Sequence, residues 1–340
     1  MNQETQRPPC VLITNRVPDD HLDPLLGFCT VIQGEHVYDL MSREEVLSCV
    51  HKVDAIINQA ELRVDAELID AAPNLRVVAN VAAGTDNLDL ELMASRGVWA
   101  TNVPDAFTNS VADHTIGLLL MLARRIIEAD TYVRSGRWAD DGFQPSRWDG
   151  MELTGKTWGV IGFGLSGKAV RQRAEAFGMN VLYHASSPVN DPAYRTLDDL
   201  LAASDVVSLH VPLTETTRGM INRSRIRMMK PGAVLINMSR GKTVQQTALV
   251  EALRAGDLSG AGLDVFEDEP EVPESLRALT NVVLTPHIGG GTIESRRNAR
   301  RRCAANVARV LQGSAPLTPV NTPVWIKRGL RSPNHDARST

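Results

Sequence analysis

The sequence predicts an α/β protein built from two doubly wound parallel-sheet units, and three observations carry that reading. The chain has 340 residues, which at about 150 residues per domain suggests two domains. Short apolar runs of strand length alternate with helical patterns, the signature of a parallel sheet covered by helices. The alternation then restarts at Lys156 with a fresh apolar strand.

Composition narrows the function classes. Hydrophobic residues make up 43% and charged residues 22%, ordinary for a globular chain. A net charge of -4 offers no basic field to nucleic acid or to an anionic membrane. Aromatics are only 4%, so the core must be aliphatic. Cys10, Cys29, Cys49 and Cys303 form no CxxC pair and no zinc spacing. They read as reduced thiols of a cytoplasmic protein, and no metal is expected. The opening MNQETQRPPC has no signal-peptide h-region, and the apolar run 116–123 is too short to span a bilayer.

In the first half, strands are expected at 10–14, 29–33, 55–58, 76–80 and 98–102. Helices are expected at 20–26, 43–51, 65–71 and 89–96, the last closed by Gly97. The stretch 109–135 reads as one long helix, apolar on more than one side. Such a helix is either central or an oligomer interface, here the interface of a homodimer. The Trp-, Gly- and Asp-rich segment 135–155 reads as an irregular loop. Strands follow at 157–161, 180–184, 206–210, 233–237, 260–264 and 282–284. The helices of this half fall at 167–177, 197–203, 223–229 and 247–255, and one at 294–312 closes the fold. The Pro-rich, basic end, 321–340, reads as a poorly ordered tail.

Gly162-Phe-Gly164-Leu165-Ser166-Gly167 lies between an apolar strand and a helix. That context makes GxGxxG a dinucleotide fingerprint of the Rossmann type. Gly162 permits the tight turn, Gly164 lets a pyrophosphate approach, and Gly167 lets helix and strand pack closely. The helix N-terminus offers free N–H groups to the phosphates. The acid that would bind the adenine ribose is missing: Ala185 stands there, followed by Ser186 and Ser187. Without a carboxylate a 2′-phosphate is not repelled, so NADP(H) is favoured, with NAD(H) possible.

Three further segments end apolar strands: Asn237-Met238-Ser239-Arg240-Gly241, the run from Gly262 through Asp264 to Glu269-Pro270, and Thr285-Pro-His287-Ile-Gly289-Gly290. Ligands of open α/β sheets bind at the carboxyl ends of strands, so these segments should converge. Taken in order with the glycine loop, they resemble the D-isomer-specific 2-hydroxyacid dehydrogenase family, over about residues 10–315. Within that family the chain resembles the glyoxylate/hydroxypyruvate reductases. The gaps 269 − 240 = 29 and 287 − 269 = 18 resemble the family's spacing.

The resemblance implies a catalytic set of Arg240, Glu269 and His287, acting on a small 2-keto acid. The chemistry agrees. Reducing a keto acid needs a hydride at carbon and a proton at oxygen. Imidazole titrates near neutral pH, so His287 suits the proton donor. Glu269 beside it would favour imidazolium. Arg240 offers a fork to the substrate's keto oxygen and carboxylate.

The resemblance further implies cofactor contacts at Thr108, Val211, Pro212, Met238, Ser239, Gly289 and Gly290, with Asp264 on the nicotinamide amide. Ala83 and Gly84 would hold the substrate carboxylate through backbone N–H groups. Phosphite dehydrogenases resemble this chain near residues 63–78 and 96–105 but carry Lys at the Ala83 position, which argues against phosphite oxidation. Family resemblance also divides the chain into a discontinuous substrate domain, 1–103 plus 291–320, and an inserted NAD(P)-binding domain, 104–290. It places the active site in the cleft between them.

Two features stand apart. Arg296, Arg297, Arg300, Arg301 and Arg302 crowd one helix. Arg296 could face the site, and the crowding favours a solvated or ion-paired face. Trp138 and Trp148 fall in the 135–155 loop and read as loop packing. The alternative function class is a non-catalytic, nucleotide-sensing corepressor on the same fold.

Overall fold

The computed structural model describes residues 7–187 and 190–324. These fall into two compact units, one built from residues up to Phe107 and from Thr292 onward, the other from Thr108–Gly291. The division lies four residues later in the chain than the expected 103/104 boundary and one later than 290/291.

The first unit contains β1 (Cys10–Ile13), β2 (Thr30–Gln33), α1 (Arg43–Cys49), β3 (Ala55–Asn58), α2 (Ala66–Ala71), β4 (Val77–Asn80), α3 (Leu90–Ser95) and β5 (Trp99–Thr101). Its sheet has the order β2-β1-β3-β4-β5 and every pairing is parallel. Both faces are covered, so β1, β3 and β4 are buried along their whole length, as uninterrupted aliphatic runs require. Helix starts follow capping chemistry. Ser42 and Glu45 form a capping box, and Asp65 and Asp89 cap α2 and α3; each such cap contributes about 1 kcal/mol. The helix expected at 20–26 is instead two 3-10 turns, Asp19–His21 and Asp23–Leu25. Pro24 has no N–H to continue a longer helix.

The second unit contains α4 (Thr108–Ala123), α5 (Ile126–Arg134), α6 (Arg137–Asp141), β6 (Thr157–Ile161), α7 (Leu165–Ala176), β7 (Asn180–His184), α8 (Leu197–Ala203), β8 (Val206–Leu209), α9 (Arg223–Ile226), β9 (Ala233–Asn237), α10 (Gln246–Ala255), β10 (Leu258–Leu263), α11 (Glu274–Arg277) and β11 (Val282–Leu284). Its six parallel strands have the order β11-β10-β9-β8-β6-β7. The strand order reverses between β6 and β8, the position where such sheets bind ligands.

The single helix expected over 109–135 is two. Arg125 takes a left-handed backbone, φ 51°, between α4 and α5. α4 is the central element: Ile116, Leu118 and Leu119 are buried beside Trp158 and Val160. The absence of side chains at Gly260 and Gly262 lets Leu122 and Leu118 rest on β10. The exposed apolar residues are on α5, at Ile126, Ile127 and Val133. Nor is 135–155 wholly irregular, since it holds α6 and the 3-10 turn Pro145–Trp148. There Trp148 packs on Tyr132, ring centroids 5.1 Å apart, while Trp138 remains exposed.

α12 (Ile293–Leu311) returns to the first unit and packs on β3 and β4. Asn321 then docks on β5 through Val98 O and Ala100 N. Of the basic tail, residues 325–340 lie outside the described residues. No helix among the described residues is long and apolar enough to cross a membrane.

Candidate active site

In the second unit the carboxyl ends of β9, β10 and β11 bring Arg240, Glu269 and His287 onto neighbouring loops. His287 Nδ1 lies 2.8 Å from Glu269 Oε2. A carboxylate only accepts, so the proton of that bond is on Nδ1. The other carboxylate oxygen, Oε1, accepts from the Phe266 N–H at 2.9 Å. Burial opposes ionisation of Glu269. The His287 hydrogen bond, the Phe266 N–H and the His287 and Arg240 charges outweigh it and hold the carboxyl below its ordinary range.

Local bonds aim each loop. The Asn237 side chain donates to Arg240 O and accepts from the Ser239 N–H and hydroxyl. This folds the chain back after β9. Gly241 presses on the backbone of Phe266 and Glu267, where a Cβ would come within 1.8 Å of Phe266 C. Only glycine lets the loop of Arg240 lie against the loop of Glu269. Arg240 Nη1 also donates to Ser239 O, 2.9 Å away.

His287 itself sits in the left-handed region, φ 53°, unusual for a residue with a Cβ. Asp264, 2% exposed, imposes this. Its backbone oxygen accepts the His287 N–H. Its carboxylate accepts from Thr285 Oγ1 at 2.6 Å, the Ile288 N–H at 2.8 Å and the Gly289 N–H at 2.7 Å. His114 of α4 joins through Thr285 Oγ1 at 3.0 Å. Asp264, for which a nicotinamide-amide contact is expected, also braces the His287 loop. Ser239 is likewise absorbed by its own loop, its hydroxyl bonded to Asn237 and near Thr243. Gly289 closes on Met238 and Asp264, with no room for a Cβ.

The glycine loop lies at the switch point between β6 and β8. A Cβ on Gly162 would meet His210 O at 2.5 Å, and one on Gly167 would meet Gly162 O at 2.1 Å. Both are glycines because protein backbone fills the space. A Cβ on Gly164, by contrast, would have nothing within 4 Å. Gly164 caps α7 without any side-chain bond, so the first amides of Leu165, Ser166 and Gly167 have no side-chain cap.

His210, beneath the loop, was not singled out by the sequence. Trp158 Nε1 donates to Ser208 Oγ at 2.9 Å, and His210 Nε2 lies 3.0 Å from the same hydroxyl. The other ring nitrogen, Nδ1, is buried with no partner among the described residues. Burial pushes its pKa down to about 4, so the ring is neutral. The only available signal was a polar ring at the end of a buried strand beside a glycine loop. Thr108 Oγ1 is likewise buried without a partner. Val211 touches the Gly162 position, and Pro212 O accepts from Thr217.

β7 ends at His184, and Ala185, Ser186 and Ser187 follow, the two serines exposed. The nearest acid, Asp191, is turned back to the Tyr183 hydroxyl at 3.0 Å and the Ala193 N–H at 2.8 Å. Arg195, eight residues beyond Ser187, runs alongside this strand end: its N–H donates to Tyr183 O, and its carbonyl accepts from His184 Nδ1.

In the first unit, the loop after β4 ties its carbonyls inward. Asn102 donates to Ala83 O and Asn80 to Gly84 O. The N–H groups of Ala83 and Gly84 have no acceptor among the described residues.

The profile of the D-isomer specific 2-hydroxyacid dehydrogenases, NAD binding domain, matches residues 116–289. A glyoxylate reductase of Thermococcus onnurineus is 44% identical over 324 residues, covering 93% of this chain and 97% of the relative. The chain belongs to the D-isomer specific 2-hydroxyacid dehydrogenase family. A solved structure from Thermus thermophilus is similar to this dehydrogenase at TM-score 0.86 and 42% identity, covering 92% of this chain and 99% of that one. An NADPH-dependent glyoxylate/hydroxypyruvate reductase of Sinorhizobium meliloti, solved with NADP and malonate, has TM-score 0.80 and 34% identity, covering 93% and 98%.

A nicotinamide cofactor fits what the dehydrogenase offers. The space at Gly164, the uncapped helix N-terminus and the orphaned polar atoms of Thr108 and His210 all belong to the unit that carries the NAD binding match. Pyrophosphate oxygens are the acceptors that the uncapped helix N–H groups and the Thr108 hydroxyl lack.

Proposed function

We propose that this dehydrogenase reduces a small 2-keto acid of the glyoxylate/hydroxypyruvate kind to its D-2-hydroxy acid, with NADPH preferred to NADH. The observation that carries the reading is the 2.8 Å pair of His287 and Glu269 on a loop neighbouring that of Arg240. The bound nicotinamide supplies the hydride. His287, held through Nδ1 by Glu269, keeps its second ring nitrogen for the substrate and gives the proton on Nε2 to the keto oxygen. Glu269 stabilises the imidazolium before transfer. Arg240 binds carboxylate and keto oxygen, polarising the carbonyl. The unpartnered N–H groups of Ala83 and Gly84 support a role for the first unit as the substrate domain.

NADPH preference rests on Ala185 and on the two exposed serines after β7, with no carboxylate directed there. A homodimer is supported by the exposed Ile126, Ile127 and Val133 of α5; sedimentation showing only monomer would remove that assignment. A cytoplasmic setting is supported by four free cysteines, with burial raising the thiol of Cys29 to about 11.

The deciding experiment follows NADPH and NADH oxidation by purified protein with glyoxylate, hydroxypyruvate and larger 2-keto acids. Turnover with the small acids and a higher kcat/KM for NADPH is expected. No turnover with any keto acid and either cofactor overturns the reading.

A further inference from the structure

α12 carries arginine at 296, 297, 300, 301 and 302, and the structure sorts them unequally. Arg297 pairs with Asp20 at 3.4 Å, Arg301 with Asp23 at 2.8 Å, and Arg302 with both oxygens of Asp105 at 2.7 and 2.8 Å. Arg296 and Arg300 are left, one helical turn apart on the same face. Neither side chain has a hydrogen bond or an acid partner among the described residues. For Arg296, which is exposed, this is the expected solvated cation. Arg300 is different. It is 8% exposed, and its Nε is buried with no partner. It has no ion pair and is largely withdrawn from solvent, which corrects the expectation at this one position of the helix.

α12 packs on the 3-10 turn Asp19–His21, and His21 is also 8% exposed. Its Nδ1 is buried without a partner, while Nε2 stays 3.9 Å from Asp20. Burial disfavours charge on both groups, and the charges of Arg300, Arg297 and Arg301 bear on the His21 ring. One seam thus holds two buried polar side chains from different elements, each with an unanswered nitrogen, and a bare arginine on the same helix face. A buried unpaired guanidinium is costly, and folds keep one where something neutralises it.

We propose that the seam between the Asp19–His21 turn and α12 binds a small dianionic oxyanion, phosphate or a phosphomonoester. Arg300 is the inner ligand, Arg296 the rim ligand, and His21 Nδ1 an added donor. A single carboxylate would neutralise one guanidinium and leave the other unanswered. A dianion balances both, and its several acceptor oxygens suit donors from two elements. The assignment does not depend on the reductase reading and uses none of its residues.

The test uses the full chain, with inorganic phosphate and glycerol 3-phosphate as the two probes. It reads saturable binding by calorimetry and the rise of Tm with ligand concentration. The glycine loop is a second place where phosphate could bind, so the variants carry the argument. Arg296→Gln, a surface change, should weaken binding by about tenfold or more, the weight of a charge-assisted contact. Arg300→Met should weaken binding at least as much as Arg296→Gln and also raise Tm in phosphate-free buffer, because an unpaired, largely buried cation is gone. Sulfate should compete and chloride should not. Tighter binding of the phosphomonoester names an organic ligand; equal binding names free phosphate. The proposal is overturned if neither probe binds saturably, or if both variants titrate like wild type. It is equally overturned if Arg300→Met lowers Tm in phosphate-free buffer, which would make Arg300 a purely structural residue.

Discussion

Asp264 Oδ2 accepts the Gly289 N–H at 2.7 Å, across 25 positions of sequence. With the Asp264 bonds to Thr285 and Ile288, this contact holds His287 at its positive φ. His287, the proposed proton donor, is therefore positioned by a residue that does not touch it through its side chain. Asp264→Asn turns an acceptor into an amide that cannot serve three donors. A loss of about 2–4 kcal/mol in stability is expected for a buried charge-assisted network. Urea unfolding checks the stability, and kcat should fall with it.

His287→Ala removes the proton donor while leaving Arg240 in place. The expected loss in kcat is about 10²–10⁴-fold, the usual share of general acid catalysis, with a smaller change in substrate KM. Steady-state kinetics with glyoxylate and NADPH measures both. Unchanged kcat would take the donor role from His287.

Glu269 is held below the usual carboxylate range by His287, the Phe266 N–H and Arg240, against the cost of its burial. A group depressed on folding contributes stability above its unfolded pKa and loses it as pH falls through the folded value. Tm should therefore decline on the acid side of the ordinary carboxyl range. In Glu269→Gln that part of the decline should disappear, while kcat falls because His287 has lost the carboxylate that holds its Nδ1. A pH series of thermal melts and rates reads the two effects separately.

Gly164→Ala and Gly167→Ala form a matched pair. At Gly167 a Cβ would strike Gly162 O at 2.1 Å, so the variant should unfold at lower temperature. At Gly164 nothing lies within 4 Å and φ is -78°, so alanine should cost only the N-cap preference, about 1 kcal/mol. Its Kd for NADPH, read by fluorescence titration, should nevertheless rise at least about tenfold, because the methyl occupies the pyrophosphate approach.

Ala185→Asp supplies the missing carboxylate at the end of β7. It should raise the NADPH KM by about tenfold or more through repulsion of the 2′-phosphate, and lower that for NADH. An unchanged ratio of kcat/KM between the two cofactors would show that preference is set elsewhere.

Much of this protein was legible in sequence because its signals are local. Strand and helix alternation is a periodicity within ten or so residues, and GxGxxG is a turn geometry within six. The order Arg240, Glu269, His287 at three strand ends was readable for the same reason: parallel strands bring their carboxyl ends to one edge. What lay beyond reach depends on contacts between distant positions. Asp264 became a brace only when Leu263 and Leu284 paired in register and brought Gly289 to it. His210 meets a Ser208 hydroxyl that also accepts from Trp158, 50 residues away from that serine. The break at Arg125 is a single left-handed residue that the apolar pattern of 109–135 does not announce, while the two 3-10 turns after β1 trace to Pro24, a local signal outweighed in the helical pattern. Five of the six arginines of α12 fall within residues 296–302 and look alike in the chain. Which two lack acids was decided by where Asp20, Asp23 and Asp105 lie in space. The sequence by itself determined the fold class and the chemical inventory of the site. Only the tertiary structure decided which polar groups are spent on holding loops and which remain for ligands, since hydrogen-bond satisfaction and burial are properties of neighbours in space.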